Sequence, residues 1–439
     1  MSERTMQPIE YDIIIVGGRV TGAVLAAYLG QEGMKVLVLE KDALPSTHPF
    51  SCPMIQAATM AMLDEIGAPE DEYARHTPPI HQMIIADERM EIPIELPYYK
   101  GRNYGYAIDR ARFDKALWDH ALRMESVTGI QRFKVNHLIW DEQGESVIGV
   151  TGIHLDSGET ASYYGKRVVG ADGRFSIVAR KTSARTYDER PDYPTTVYYS
   201  YWEGVARFAG GEPTSVAYTS TSGEFAYLVM DSADDTTAIV VEGRSDIVAP
   251  SAGMVDEFYH DIVTLHPAIK QRMHGARRVQ AVQGIKRIGN LYRQAGGKGW
   301  VLVGDAYHQK DPVDGQGIYD AVYSAKTLAQ GLSQWYHHQV DWEEMLQQYD
   351  EQVRAHTYPQ YEATLQRIQE TLYGTLNPAL PKSLMTGALR WIAKDRVYQE
   401  LTGQILNRQT DPHTTLKPSF LMMAALRGSL RELSERLET

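Results

Sequence analysis

The residues whose types and spacing could do chemistry begin with a glycine turn. Gly17, Gly18, Arg19, Val20, Thr21 and Gly22 follow an apolar run, Ile13 to Val16, and precede a helical stretch, Ala23 to Gln31. A second apolar run, Val36 to Leu39, ends at Glu40, 18 positions after Gly22. Strand, glycine turn, helix, strand and acid, in that order, make a βαβ unit suited to a dinucleotide. Gly17 permits the tight turn, and Gly22 lets the helix pack closely on the sheet. Backbone N–H groups at the helix start can hold a diphosphate, and Glu40 can accept from ribose hydroxyls, with Lys41 beside it. The middle glycine of the G-x-G-x-x-G pattern is replaced by Arg19. Its side chain either turns outward or joins in holding the phosphates.

Further candidates lie downstream. An apolar strand, Arg167 to Gly170, runs into Asp172-Gly173, and another, Gly299 to Val303, runs into Gly304-Asp305. Asp305, at a strand end before a glycine-rich loop, is placed to bind hydroxyls. Pro312, Gly315, Gln316 and Gly317 follow, and Gly315 and Gly317 permit close backbone approach before a helix that starts near Gly317. Asp109 reads as the N-cap of a helix whose first turn carries Arg110 and Arg112, where a helix dipole disfavours cations unless an anion lies nearby. His48 and His308 are candidate bases, since histidine titrates near neutral pH; a structural role is open for each. No HExxH or clustered metal spacing occurs.

Taken together, the GxRxxG turn with Glu40, the Gly170-Ala171-Asp172-Gly173 segment, and Gly304-Asp305 with Pro312 and Gly315-Gln316-Gly317 resemble the FAD-dependent aromatic hydroxylase family. These are the single-component flavoprotein monooxygenases with the para-hydroxybenzoate hydroxylase fold. The resemblance covers about residues 11 to 335. It implies FAD as cofactor, with Asp305 on the ribityl chain, Pro312 near the reacting carbon of the ring, and the helix from Gly317 pointing its positive end at the flavin. It implies that Asp172 and Gly173 serve both FAD and NAD(P)H, and that Arg112 lies near the FAD phosphates. Tyr319 stands where the family often carries a small or amide residue, which leaves the pocket shape open. The implied reaction is hydroxylation of an aromatic or polycyclic, polyketide-like small molecule with NAD(P)H and O2. Geranylgeranyl reductases and halogenases share the framework, so a reductase or dehydrogenase acting on C–C bonds is the alternative. The W-x-W-x-I-P signature of the halogenases is absent. A flavin-bearing binding or redox-sensing protein is the non-enzymatic reading.

The elements that must position these residues predict an α/β fold: a Rossmann-like FAD-binding domain with an inserted antiparallel-sheet substrate domain and a helical C-terminal tail. The boundaries are 1–185 and 280–335 for the first domain, 186–279 for the sheet, and 336–439 for the tail. A three-stranded meander is expected over Phe133–Trp140, Ser146–Leu155 and Glu159–Tyr164, ahead of the separate strand at Arg167. In the sheet, Tyr198, Tyr199, Tyr201, Tyr218 and Tyr227 fall on both faces, so some should stand outside the core. His266-Pro267 and Tyr358-Pro359 should each interrupt a helix. The pair Asp341 and Glu344 reads as a capping box.

Composition narrows the function classes. The chain has 439 residues, 43% hydrophobic, with a net charge of -12, which argues against a general binder of nucleic acid or anionic membrane. Cys52 is the single cysteine, so an internal disulfide is excluded and a cytoplasmic location is expected. No apolar run reaches the length of a transmembrane helix. Three arrangements are open to the tail: packing on its own substrate domain, a homodimer contact, or lying on a membrane surface.

Overall fold

The computed structural model describes residues 10–47, 52–86, 90–220, 224–251, 253–374 and 382–438. Its centre is the strand Tyr11–Val16, in which Ile13, Ile14 and Ile15 are fully buried. A parallel strand covered on both faces has no polar side to show, so it reads as an unbroken apolar run. It pairs in parallel with Val36–Leu39 on one side and with Ile13↔Arg167 to Val16↔Gly170 on the other. Trp300–Leu302 and Val127–Ile130 extend the sheet in parallel at either side. The helix Val20–Gln31 packs on helices Arg110–Ala121 and Gly317–Tyr336.

The meander differs from expectation. Its third strand does not stop at Tyr164 but continues as Thr160–Gly170. The first half pairs antiparallel with Val147–His154, and the second half enters the central sheet. Gly165 makes the transition, where a Cβ would lie 2.9 Å from Ile14 Cγ1. Two elements separated in the sequence reading are therefore one.

The second sheet runs in the order His308–Gln309, Gln283–Arg293, Thr186–Glu203, Thr236–Arg244, Phe225–Asp231, Ser215–Thr219, Gln82–Ala86, Glu91–Glu95. The last two strands come from within the stretch 1–185, Gln82–Ala86 pairing with Ser215–Thr219 and Glu91–Glu95 with Gln82–Ala86, so the sheet borrows its far edge from the first unit. The five tyrosines are all buried, at 7% exposure or less. Both faces of the sheet are covered, which overturns the expectation that some stand outside the core. Tyr198, Tyr218 and Tyr227 share a cluster with Tyr259 and Ile262 of the helix Val255–Leu265. Tyr199 and Tyr201 share another with Cys52, Met54 and Ala393.

The break at His266-Pro267 is present, between Val255–Leu265 and Pro267–Arg272. The one at Pro359 is not: Trp342–Thr371 runs through it as a single helix, with Asp341 Oδ1 accepting from Glu344 N at its start. Proline costs that helix a backbone donor. Side chains on either side compensate, Thr357 bonding to Tyr292 and the Tyr361 hydroxyl donating to Asp188 O. Helices Lys382–Lys394, Arg396–Leu406 and Pro418–Glu438 close the chain. Among the described residues no helix is long and apolar enough to cross a membrane.

Gly22 is the tightest point of the nucleotide unit: a Cβ there would lie 1.8 Å from Gly17 O. Gly22→Ala should lower stability by about 2 kcal/mol or more through overpacking, read as a fall in the urea midpoint.

Candidate functional site

A cleft of about 700 Å³ opens beyond the C-terminal ends of the parallel strands, where Val16, Leu39, Ala171 and Gly304 meet it. Ligands of open α/β sheets bind in this place. Its walls carry Gly17, Arg19, Glu40 and Lys41, then Asp172 and Gly173, then Asp305, His308, Pro312 and Gly317. Gly18, Gly22, Gly315 and Arg112 do not line it, and His48 lies outside the described residues.

At the first turn, Gly17 has φ +101°, and a Cβ there would sit 2.5 Å from Ala171 O. Only glycine suits both constraints. Glu40 is buried; its Oε2 accepts from Gly18 N at 2.7 Å and its Oε1 from Asp42 N at 3.0 Å. Burial pushes its carboxyl up despite those donors. Each oxygen has a further lone pair for a hydroxyl in the cleft. Arg19 neither hangs free nor simply waits for phosphate. Its guanidinium donates to Asp114 Oδ2 at 2.8 Å, Asp42 Oδ2 at 3.1 Å and Ser46 Oγ at 2.8 Å. It ties the turn to helix Arg110–Ala121 while still forming part of the cleft wall.

That helix corrects one assignment. Asp109 is its N-cap, accepting from Arg112 N. The Arg112 side chain, however, donates to Arg75 O and Asp234 Oδ2, away from the cleft. Arg110 lines the cleft instead and donates to Asp114 Oδ1 at 2.9 Å. Residues two apart on a helix point to opposite sides, so only one arginine of the pair can face the site. Asp114 and Asp234 are the anions that offset the two cations near the positive helix end.

Asp172 Oδ2 accepts from Ile177 N at 2.6 Å, at the start of the short helix Ile177–Lys181 that Ser176 caps, while its buried Oδ1 has no protein partner. An unpartnered carboxylate oxygen in a cleft wall is a ready acceptor for a ligand hydroxyl. Asp305 forms an ion pair with Arg174 Nε at 3.0 Å. Gly304, with φ +61°, would bring a Cβ within 2.6 Å of Thr21 Oγ1, so the second turn is pressed against the first. Gly317 has open space around its Cβ position, and Gly315, at φ +69°, caps the turn Pro312–Asp314 from outside the cleft. Tyr319 does not fill the cleft: its hydroxyl meets His356 Nε2 at 2.9 Å and its ring stacks on Tyr323 and His356. These features fit FAD.

His308 stacks on Tyr292 at 4.3 Å, and burial pushes its imidazole down to about 3. The ring is neutral at neutral pH, a hydrogen-bonding group and a poor proton acceptor. Beside it stands a buried charge cluster that sequence reasoning missed. Lys310 Nζ lies 2.6 Å from Asp314 Oδ2 and 3.0 Å from Asp320 Oδ2, and Arg408 pairs with Asp320 Oδ1. Lys310 and Asp320 line the cleft. Burial alone would raise Asp314; Lys310 and Arg408 hold it down at about 2. The four-residue spacing of Lys310 and Asp314 was visible in the sequence. Arg408 had no signal, because only folding brings the tail there.

Asp320 is likewise held low by Arg408 and Lys310 against burial. Such a carboxylate stabilises the fold above its unfolded value near 4 and loses that contribution as pH falls through its folded value. Removing Arg408 takes away the larger of the two cationic attractions that oppose burial, which shifts the Asp320 carboxyl upward. Arg408→Leu should therefore cost about 3 kcal/mol at pH 7. The deficit should shrink toward pH 4 as the carboxyl protonates, measured by urea unfolding at both values.

Known proteins bear on this geometry. The digeranylgeranylglycerophospholipid reductase of Methanocella arvoryzae is 25% identical over 327 residues, 72% of this chain and 76% of that protein. The squalene monooxygenase of Mus musculus is 29% identical over 185 residues, 40% of this chain and 32% of that protein. A flavoprotein/dehydrogenase from Cytophaga hutchinsonii superposes with a TM-score of 0.77 at 16% identity, covering 96% of this chain and 100% of that one, a likeness of fold. Residues 10–361, most of the chain, match the FAD binding domain family, so the chain belongs to that family and is a flavoprotein oxidoreductase.

Proposed function

We propose that the chain is an FAD-dependent monooxygenase that hydroxylates an aromatic or polycyclic small molecule with NAD(P)H and O2. The observation that carries this reading is the end of the cleft at Pro312 and Gly317. There the N-terminus of a 20-residue helix, Gly317–Tyr336, meets the cleft with open space at Gly317. Bound FAD would supply hydride acceptance and oxygen chemistry. The protein's part is to hold it: Glu40 and Asp305 by accepting from hydroxyls, the two glycine turns by close backbone approach. The helix N-terminus favours negative charge beside it. The cluster of Lys310, Arg408, Asp314 and Asp320 is balanced in formal charge, so it does not cancel that effect. His308, neutral, can orient a group in the cleft without competing for its proton.

The sheet face bearing Tyr199 and Tyr201 reaches the cleft through Cys52, which belongs to both. Gly284 and Ile285, on the neighbouring strand, line the cleft as well. A flat apolar substrate suits that side. Lys41, Lys134, Arg174 and Arg180 also line the cleft, a local cationic set in a chain of net charge -12. They suit the phosphates of FAD and of a nicotinamide dinucleotide that visits transiently.

The second reading, a reductase of C–C bonds, is favoured by the 72% coverage of this chain in its match to the archaeal reductase. Product formed under ¹⁸O₂ separates the two. The monooxygenase incorporates label with NAD(P)H consumption, and product free of label would establish the reductase. Asp305→Ala should weaken FAD at least tenfold while leaving the circular dichroism unchanged, measured by fluorescence titration of the apoprotein.

A further inference from the structure

The C-terminal helix Pro418–Glu438 is apolar on two sides, and only one of them is used. Its inner side packs on Lys382–Lys394 so closely that a Cβ at Gly428 would lie 1.7 Å from Trp391 O. Ala424 on that side is fully buried. Ion pairs secure the same seam: Arg427 with Asp395 at 2.6 Å, Lys394 with Glu435 at 2.7 Å, and Arg390 with Glu432. The outer side is bare. Met422 is 74% exposed, Met423 50%, Leu426 53%, Leu430 59% and Leu433 56%.

The spacing of Met422, Leu426, Leu430 and Leu433 is four, four and three residues, which places them along one stripe of a helix. Five side chains exposed to this extent amount to roughly 500 Å², at the upper end of what a monomer's surface carries without function. We infer that this stripe is the contact surface between two copies of the chain, the helices pairing antiparallel about a two-fold axis. Such a contact is self-complementary, with Met422 of one copy opposite Leu433 of the other. Two stripes pressed together bury on the order of 1,000 Å², the threshold for a specific interface.

Charge separates this occupant from a lipid surface. A helix that lies on an anionic membrane carries a surplus of free Lys and Arg beside its apolar face. Here the neighbouring cations are already engaged within the chain: Arg427 with Asp395, and Lys394 and Arg431 with a shared Glu435. A stripe whose bordering cations are held by carboxylates of the same chain suits a second stripe of the same kind.

The test is sedimentation velocity of the full-length holoprotein from 1 to 50 µM, with the double variant Leu426→Glu/Leu430→Glu beside it. The expected result is a dimer for the unmodified chain and a monomer for the variant, with FAD content and circular dichroism unchanged. If the glutamates prevent folding, Met422→Gln/Leu430→Gln, which adds no charge, should raise the dimer dissociation constant at least tenfold. A chain that is monomeric throughout the range overturns the inference, as does a folded variant that remains a dimer. Flotation of a monomeric chain with vesicles of phosphatidylcholine and phosphatidylglycerol overturns it in favour of a lipid contact.

Discussion

Backbone touching backbone at Gly17 is the constraint on which the rest of the structure depends. The first turn carries no side chain at Gly17 or Gly22 because Ala171 O and Gly17 O occupy the space. That lets helix Val20–Gln31 start directly at the strand end, with its N-terminus at the cleft. The second turn, at Gly304, is pressed onto Thr21 in the same way. Two parallel strands therefore deliver two turns to one place, and the cleft is what remains between them. Flanking side chains then fix the turns: Arg19 through Asp114, Asp172 through the helix at Ile177, Gly304 N through Ser324 Oγ.

Buried charge is the second organising feature. Lys310, Asp314, Asp320 and Arg408 lie together at the helix end of the cleft. Behind the Pro312 turn, Asp311 takes hydrogen bonds from Thr195 and Val313 N, and its own N–H donates to Asn290 Oδ1. Burial beside Asp311 pushes the Glu242 carboxyl well above the usual range. Charges removed from water need partners in good geometry, and these partners come from the helix Gly317–Tyr336, the second sheet and the tail. The loop is thus held by all three parts of the chain. The tail contributes more than a cover: Arg408 completes the cluster, Gln316 Nε2 reaches Leu406 O, and Ala58 N donates to Asn407 Oδ1.

The Rossmann-like unit was legible because its signals are local. Ile13 to Val16 is apolar for a strand buried on both faces, Gly17 and Gly22 answer steric demands within a few residues, and Glu40 closes the turn it follows. Asp109 and Asp341 were legible as caps for the same reason. Errors arose where distant contacts decide. Gly165 joins two strands into one because Tyr11 lies beside it. Pro359 stays helical because Tyr292 and Asp188 hold both sides of it. The sheet tyrosines are buried because a helix covers one face and the rest of the molecule the other.

The sequence by itself determined the presence and order of the dinucleotide motifs and the class of fold, since each rests on backbone sterics over short spans; FAD as the ligand followed from the family resemblance that the motifs carry together. Only the tertiary structure decided which charged side chains reach the cleft. Arg110 faces it and Arg112 does not, Arg19 is bound to Asp114, and Arg408 arrives from 88 residues beyond Asp320. Side-chain direction on a helix and pairing between remote charges depend on what each face packs against, and no local pattern carries that information.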